Sequence, residues 1–450
     1  MIRILHTADW HLGQTFFGYD RTQEHEHFLD WLAGVLTKNK IDVLIVAGDV
    51  FDVSNPSAAS QRMFYRFIHR VTTENPRLQL VVVAGNHDSA ARLESPLPLL
   101  QEMRTEIKGI VHKQNGKIDY EHLLVELKNA AGEVEALCLA VPFLRQGDYP
   151  VVETEGNPYA EGVKELYARL LKYALKKRTD GQALVAVGHL LATGSEIAEK
   201  DHSERIIIGG LESVSPESFP EQIVYTALGH IHKAQRVSGR ENIRYAGSPL
   251  PMSFAEKHYH HGVVKVTLDE GWAVEIEKLE YTPLVRLLSI PATEAAAPDE
   301  VLDELRGLEL PEDEPMPYLE VKVKLSEPEP MLRQQVEEIL EGKPVRLARI
   351  VSFYRQAAEG SVEEEVLTAG LQEMNPLQIV KATFENSYQT EMPEELVNLF
   401  QEVCRTINLV MNQIGIHHRL HRNSPQITQE FTTDYTDSHR LIDDLVDSKD

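Results

Sequence analysis

A chain of 450 residues with 45 Lys+Arg against 70 Asp+Glu has a formal charge of -25, the wrong sign for a protein that coats phosphate backbones unaided, so an anionic substrate must be drawn in by divalent cations, a local basic face or a partner subunit. Hydrophobic content of 42% and charged content of 26% fit a globular chain of about three domains. The two cysteines, Cys138 and Cys404, lie far apart in apolar patterns, and no signal-type N-terminus or membrane-length apolar run occurs; buried thiols, a cytoplasmic location and no membrane partner are therefore expected.

The first predicted strand, Ile2–Thr7, exits through Ala8-Asp9-Trp10-His11, with Asp9 and His11 two apart and so on one side of an extended segment. Phe28, Leu29, Trp31, Leu32, Val35 and Leu36 recur at helical spacing and return the chain to the sheet. Val43–Ala47 is uniformly apolar and stops at Gly48-Asp49. A strand without period-two alternation must be covered on both faces, as in a parallel sheet between helices, and Gly48 lets the backbone turn and deliver the Asp49 carboxylate to the sheet edge. A second helix carries Met63, Phe64, Phe67, Ile68 and Val71, and a buried strand at 78–84 ends in Gly85-Asn86-His87-Asp88.

Residues 92–134 show no clear pattern. A strand at 136–141 is closed by Pro142 with no ligand-type residue after it. A helix through Val163, Leu166, Tyr167, Leu170, Leu171 and Leu175 precedes a strand at 183–187, which exits into Gly188-His189, and a strand at 223–228 exits into Gly229-His230-Ile231-His232. Strands at 243–246 and 262–268 are expected to complete a second sheet, with the first domain ending near Tyr281. Downstream, apolar runs at 285–290, Tyr318–Leu325 and 345–354 alternate with helices at 299–308 and through Leu332, Val336, Ile339 and Leu340, predicting a small β-α-β-α-β domain. Asn375-Pro376 starts a helix, and the helix after Pro393 carries a stripe from Leu396 to Ile414 that needs a cover, from its own chain or from a partner groove. Residues 416–450 turn polar and are expected to be disordered. His417, His418 and His421, like His258, His260 and His261, are expected to face solvent.

Each strand exit alone says little, since a lone histidine there is ordinarily structural. Together, Asp9, His11, Asp49, Asn86, His189, His230 and His232 present carboxylates, imidazoles and an amide oxygen at one sheet edge, the donor set preferred by Mn, Fe or Zn. Seven such groups exceed the needs of one ion. Asp49 is the natural bridge between two, with Asp9, His11 and one late histidine on the first ion, and Asn86, His189 and the other on the second. Two ions about 3.5–4 Å apart form the clamp used for in-line phosphoester displacement. His87 is then the spare imidazole, suited to donate a hydrogen bond or proton to the developing charge, and Asp88 is placed to orient it.

The ordered set Asp9-x-His11, Gly48-Asp49, Gly85-Asn86-His87-Asp88, Gly188-His189 and Gly229-His230-x-His232 resembles the calcineurin-like metallophosphoesterases. HTADWHLGQ, VAGDVFD, Ser203-Glu204-Arg205 through Gly209-Gly210, and YAGSPL at 245–250 resemble the SbcD family within them, closely over residues 1–254 and more weakly to about residue 410. That resemblance implies an α/β fold: a two-sheet metallophosphoesterase sandwich flanked by helices (1–281), a small α/β capping domain that positions DNA (282–355), a helical hairpin region that holds the SbcC-type SMC-like ATPase (356–415) and a tail (416–450). It further implies a manganese-dependent nuclease, exonucleolytic on duplex ends, endonucleolytic on single strands and able to open hairpins, acting in repair, recombination and replication as a homodimer within a heterotetramer. It assigns His232 to the first ion and His230 to the second. Some relatives carry His where this chain has Asp52, a position linked to action on paired ends. No phosphate-cradling Gly-x-x-x-x-Gly-Lys-Ser/Thr occurs, so ATP hydrolysis belongs to another chain. The rival expectations are a stand-alone phosphatase or cyclic-nucleotide phosphodiesterase, and a non-catalytic scaffold.

Overall fold

The computed structural model describes residues 1–196, 213–311, 313–326 and 329–354, all within the unit Met1–Gln356. The motif at 203–210, Cys404, the helices expected from Asn375 and after Pro393, the polar tail and His417, His418 and His421 lie outside the described residues. None of the described helices is long and apolar enough to cross a membrane.

The chain first lays down four parallel strands, β1 (Ile2–Thr7), β2 (Val43–Ala47), β3 (Gln79–Val83) and β4 (Thr105–Lys108). Helices α1 (Thr22–Lys38) and α2 (Ala58–Glu74) make the first two crossovers. It then builds a second sheet from β5 (Leu124–Lys128), β6 (Val134–Ala140), β7 (Ala183–His189), β8 (Tyr225–Gly229), β9 (Gln235–Val237) and β10 (Arg240–Tyr245), in the order β9-β10-β8-β7-β6-β5. The central four of these are parallel and the edge strands antiparallel.

Next the chain crosses back: β11 (Gly262–Asp269) and β12 (Trp272–Glu280) join the first sheet, whose order is β12-β11-β1-β2-β3-β4. This corrects the expected placement of 262–268 in the second sheet. The strand pairs antiparallel with β1 from Ile2↔Leu268 to His6↔Val264, and Val264, Val266 and Leu268 enter the core between the sheets.

The two sheets face each other, which explains the uniform hydrophobicity of their strands. Val43, Ile45 and Ala47 point into the inter-sheet core with Val185, Val187 and Ala227, whereas Leu44 and Val46 pack outward beneath α1 and α2 with Phe28, Leu32, Phe64 and Ile68. The far face of the second sheet is covered by α4 (Pro158–Lys177), through Val163, Leu166, Tyr167 and Leu170. Asn157 caps that helix by accepting from Tyr159 and Ala160 N–H, with Pro158 in the first turn. Residues that showed no pattern from 92 to 134 supply short helices, including α3 (Ala90–Glu94), and edge strands too brief for a periodic signal.

A three-stranded parallel sheet, β13 (Leu287–Ile290), β14 (Tyr318–Leu325) and β15 (Arg346–Tyr354), follows with α5 (Pro298–Arg306) and α6 (Leu332–Leu340) around its own core of Val301, Leu305, Val321, Val323 and Val336. It meets the sandwich through Phe16, Phe254, Val285 and Tyr318. The Tyr318 hydroxyl donates to Glu24 Oε1 at 2.8 Å, and Glu24 in turn takes a two-pronged ion pair from the buried Arg21.

Candidate metal centre and active site

Both sheets end their parallel strands at the same rim, and the polar residues of those exits converge there. The backbone bends sharply to do so: Asp9, His11, Asp49 and His230 all take positive φ, an unfavourable region for residues with side chains. Strain of this kind persists only where surrounding contacts over-determine it. Asp9 N–H donates to Gly48 O at 3.0 Å and His11 N–H to Asp49 O at 3.0 Å, locking the two exits together. Gly85 is required by close approach, because a Cβ there would lie 2.1 Å from Asp49 Oδ1.

Donor atoms of Asp9, His11 and His232 lie within 4.8 Å of one another, as do those of Asp9, Asp49 and His189. Asp49 Oδ2 stands between the clusters, 3.2 Å from His189 Nε2 and 3.7 Å from His11 Nε2. Asn86 Oδ1 lies 2.9 Å from His189 Nε2 and 3.1 Å from His230 Nδ1. The site is deeply set, with Asp9, His11, Asp49, His189, His230 and His232 all buried. His11 Nε2 is a buried nitrogen without a hydrogen-bond partner, a group that a cation would satisfy.

The histidines are held by their other ring nitrogen. His189 Nδ1 donates to Ala47 O at 2.8 Å, which leaves Nε2 facing the Asp49 and Asn86 oxygens. His232 Nδ1 donates to the fully buried Glu256 at 3.0 Å, the carboxylate–histidine pairing that fixes a ligand's tautomer and raises its basicity. Glu256 was not legible in the sequence, since nothing marks an acid in the loop after Pro251 as buried. The YAGSPL loop secures the same strand exit, with Ser248 N–H donating to His232 O at 3.0 Å. His261, expected to face solvent, is instead buried behind this loop with Nδ1 donating to Ser248 O.

Charge balance in the site is tight. Burial works against a charged His189, yet the Asp49 carboxylate, with Asp9 behind it, raises its imidazole to about 9. Burial also opposes ionisation of Asp49, but His189, then His11 and His87, hold its carboxyl well below the usual range. Burial, reinforced by neighbouring His189, takes His230 down to about 3, so that it is a neutral donor. To ligate a cation the His189 imidazole must be neutral, so binding would displace any proton held there. Two carboxylates, four imidazoles and an amide oxygen fit divalent first-row ions.

His87 belongs to neither of these two clusters but forms a third with His11 and Asp52, the donor atoms of all three lying within 4.8 Å of one another. Its ring meets His11 edge-on at 4.7 Å, its backbone N–H donates to Asp49 Oδ1, and its Nδ1 donates to the Asp52 carbonyl at 2.8 Å. This corrects the expectation that Asp88 orients it. Asp88 accepts from the N–H groups of Val50, Phe51 and Gly85, tying the Asp49 and Asn86 loops together, because a buried carboxylate is best satisfied by converging backbone donors. Burial, and then the nearby Asp49 charge, lift its carboxyl to about 6. The Asp52 carboxylate faces His11 Nδ1 at 3.4 Å, a contact that no spacing in the chain foretells.

Comparison with known proteins bears directly on this arrangement. The calcineurin-like phosphoesterase family matches residues 2–234, and the family described as the type 5 capsule protein repressor C-terminal domain matches residues 283–388. The chain is 38% identical over 357 residues to the SbcD subunit of the SbcCD nuclease of Rhodobacter capsulatus, covering 77% of this chain and 86% of that protein. It is 31% identical to the corresponding protein of Escherichia coli K12, covering 82% and 90%, and 32% identical to that of Bacillus subtilis, covering 60% and 67%. By these matches, which agree with its two helix-flanked sheets and its rim of side chains able to hold metal, the chain belongs to the SbcD family of nuclease subunits within the calcineurin-like phosphoesterases.

Proposed function

We propose that the protein cleaves DNA phosphodiesters with two divalent ions, manganese as the native metal, held by Asp9, His11, Asp49 and His232 at one position and by Asp49, Asn86, His189 and His230 at the other. The observation that carries this reading is the place of Asp49 Oδ2 between His189 Nε2 and His11 Nε2, at 3.2 and 3.7 Å. When bound, such a pair neutralises charge on the attacking and leaving oxygens and activates water. His87, with Nδ1 committed to the Asp52 carbonyl, offers Nε2 to the phosphate or the departing oxygen. Asp88 keeps both ligand loops in register, and Glu256 fixes the ring of His232.

As a member of its family the chain is a metal-dependent nuclease, and the phosphatase and scaffold alternatives gain no support from its relatives. We place the nuclease module at 1–281, the DNA-positioning cap at 282–355, an SbcC-type ATPase docking region at 356–415 and a tail at 416–450. The proposed substrates are duplex ends, single strands and hairpins. The family resemblance implies a cytoplasmic homodimer joined to two ATPase subunits, and a partner subunit would also help a chain of charge -25 to hold DNA.

Replacing the bridging carboxylate tests the metal assignment. Asp49→Asn is expected to lose bound manganese in equilibrium binding while keeping its circular dichroism. Unchanged manganese content in that variant would remove Asp49 from the site.

A further inference from the structure

Glu94, His112 and His122 form a second cluster of metal-ligand type, on segments of which the nuclease chemistry uses none. Their donor atoms lie within 4.8 Å of one another. His112 Nε2 is 3.2 Å from Glu94 Oε2, His122 Nε2 is 3.8 Å from Glu94 Oε1, and the two rings stand 4.2 Å apart, edge to face. Bonds of about 2.0–2.2 Å in tetrahedral geometry set ligand atoms roughly 3.3–3.6 Å apart, so both separations lie near what one zinc ion requires. His122 Nε2 is a buried nitrogen with no hydrogen-bond partner. A buried nitrogen of this kind calls for a partner, which a cation would supply.

The donors are held in place by the backbone around them. Glu94 Oε1 accepts from Gly109 N–H at 2.7 Å and Ile110 N–H at 3.0 Å, which fixes the carboxylate as an outer-shell partner would. Asp119 N–H donates to His112 O at 2.9 Å, and Asp119 Oδ1 accepts from Glu121 and His122 N–H, so one turn sets both histidines. The carboxylate side chain is only 12% exposed and His122 23%, whereas His112 is 46% exposed and gives access from solvent.

We propose that Glu94, His112 and His122 bind one zinc-type divalent ion, separate from the nuclease centre. Two imidazoles select against magnesium and calcium, and three protein donors leave the fourth position to water or an added ligand. The ion joins three segments: the end of α3, the stretch after β4 and the turn before β5. Since α3 begins two residues after Asp88, the site anchors the chain that leaves the Asn86–His87 loop.

The test is zinc stoichiometry of the full-length protein, by metal analysis after equilibrium dialysis, in the wild type and in His112→Ala and His122→Ala separately. His112 is substantially exposed, so its variant is expected to fold, and thermal melting of the metal-free proteins verifies this. The proposal predicts one zinc equivalent fewer in each variant than in the wild type, with nuclease-centre loading by manganese unaltered. Equal zinc stoichiometry in the wild type and in a folded His112→Ala variant overturns it.

Discussion

At the residue scale the proposed reading separates the groups that would hold the metals from the one that would meet substrate. If His87 donates to the phosphate or leaving oxygen while the remaining donors hold the metals, His87→Ala should keep its manganese and lose turnover by roughly 10²–10⁴-fold, the usual worth of a positioned acid or hydrogen-bond donor. Steady-state cleavage of a small phosphodiester beside a metal assay separates the two effects; loss of metal together with activity would make His87 a ligand instead. A second residue-scale prediction concerns His6, buried between the sheets with Nδ1 accepting from the Tyr225 hydroxyl and Nε2 donating to Leu228 O. Burial, against a smaller opposing effect of the Leu228 carbonyl, lowers its imidazole from 6.5 to about 3. The unfolded chain therefore takes up a proton that the folded one refuses, so stability is full above pH 6.5 and falls as pH drops from there towards 3. Between pH 7.5 and 5 the loss from this residue is about 2 kcal/mol, and urea denaturation of His6→Gln should show a correspondingly flatter pH dependence. An identical slope in the variant and the wild type would exclude His6 as a source.

At the scale of elements, the cap is tied to the sandwich by Tyr318, whose hydroxyl donates to Glu24 and accepts from Arg346 Nη1 at 3.1 Å. Tyr318→Phe deletes both bonds within a packed aromatic cluster and should cost about 1–2 kcal/mol in thermal or denaturant unfolding. Because the metal site is untouched, DNA cleavage is expected to fall more than turnover of a small diester; equal losses would mean that the cap does not position DNA. How much of this architecture the sequence revealed follows from what each element must do. The strands carrying Asp9, Asp49, Asn86, His189, His230 and His232 were readable because a two-sided core forces unbroken apolar runs, and sharp exits force glycine or polar residues. Pairing over long separations leaves no local trace, so β11 was expected in the wrong sheet although its partner is β1, some 260 residues earlier. Strand β12, with Trp272 and Val274 outward, was passed over because it is mostly exposed and carries an irregularity in its pairing with β11 that breaks a period-two pattern. Asp88 misled for the opposite reason: adjacency to His87 suggested contact, whereas the backbone turn aims it at three N–H donors. Glu256 and the Glu94 cluster depend on loops whose paths periodicity does not encode.

At the scale of the whole molecule, an acidic chain acts on an acidic polymer, and the rim of strand exits is the place where that conflict is resolved. On the proposed reading, bound divalent ions would supply the positive charge that the composition lacks, residues 282–355 would guide the strand, and an ATPase partner would supply the energy for opening paired ends. The most direct measurement is cleavage of an end-labelled DNA hairpin by the full-length protein in manganese, with and without its SbcC-type partner and ATP. The expected result is cleavage that requires manganese and that becomes ATP-dependent on paired ends when the partner is present. Intact DNA under every condition, alongside rapid hydrolysis of a small phosphodiester, would contradict the nuclease assignment of the rim.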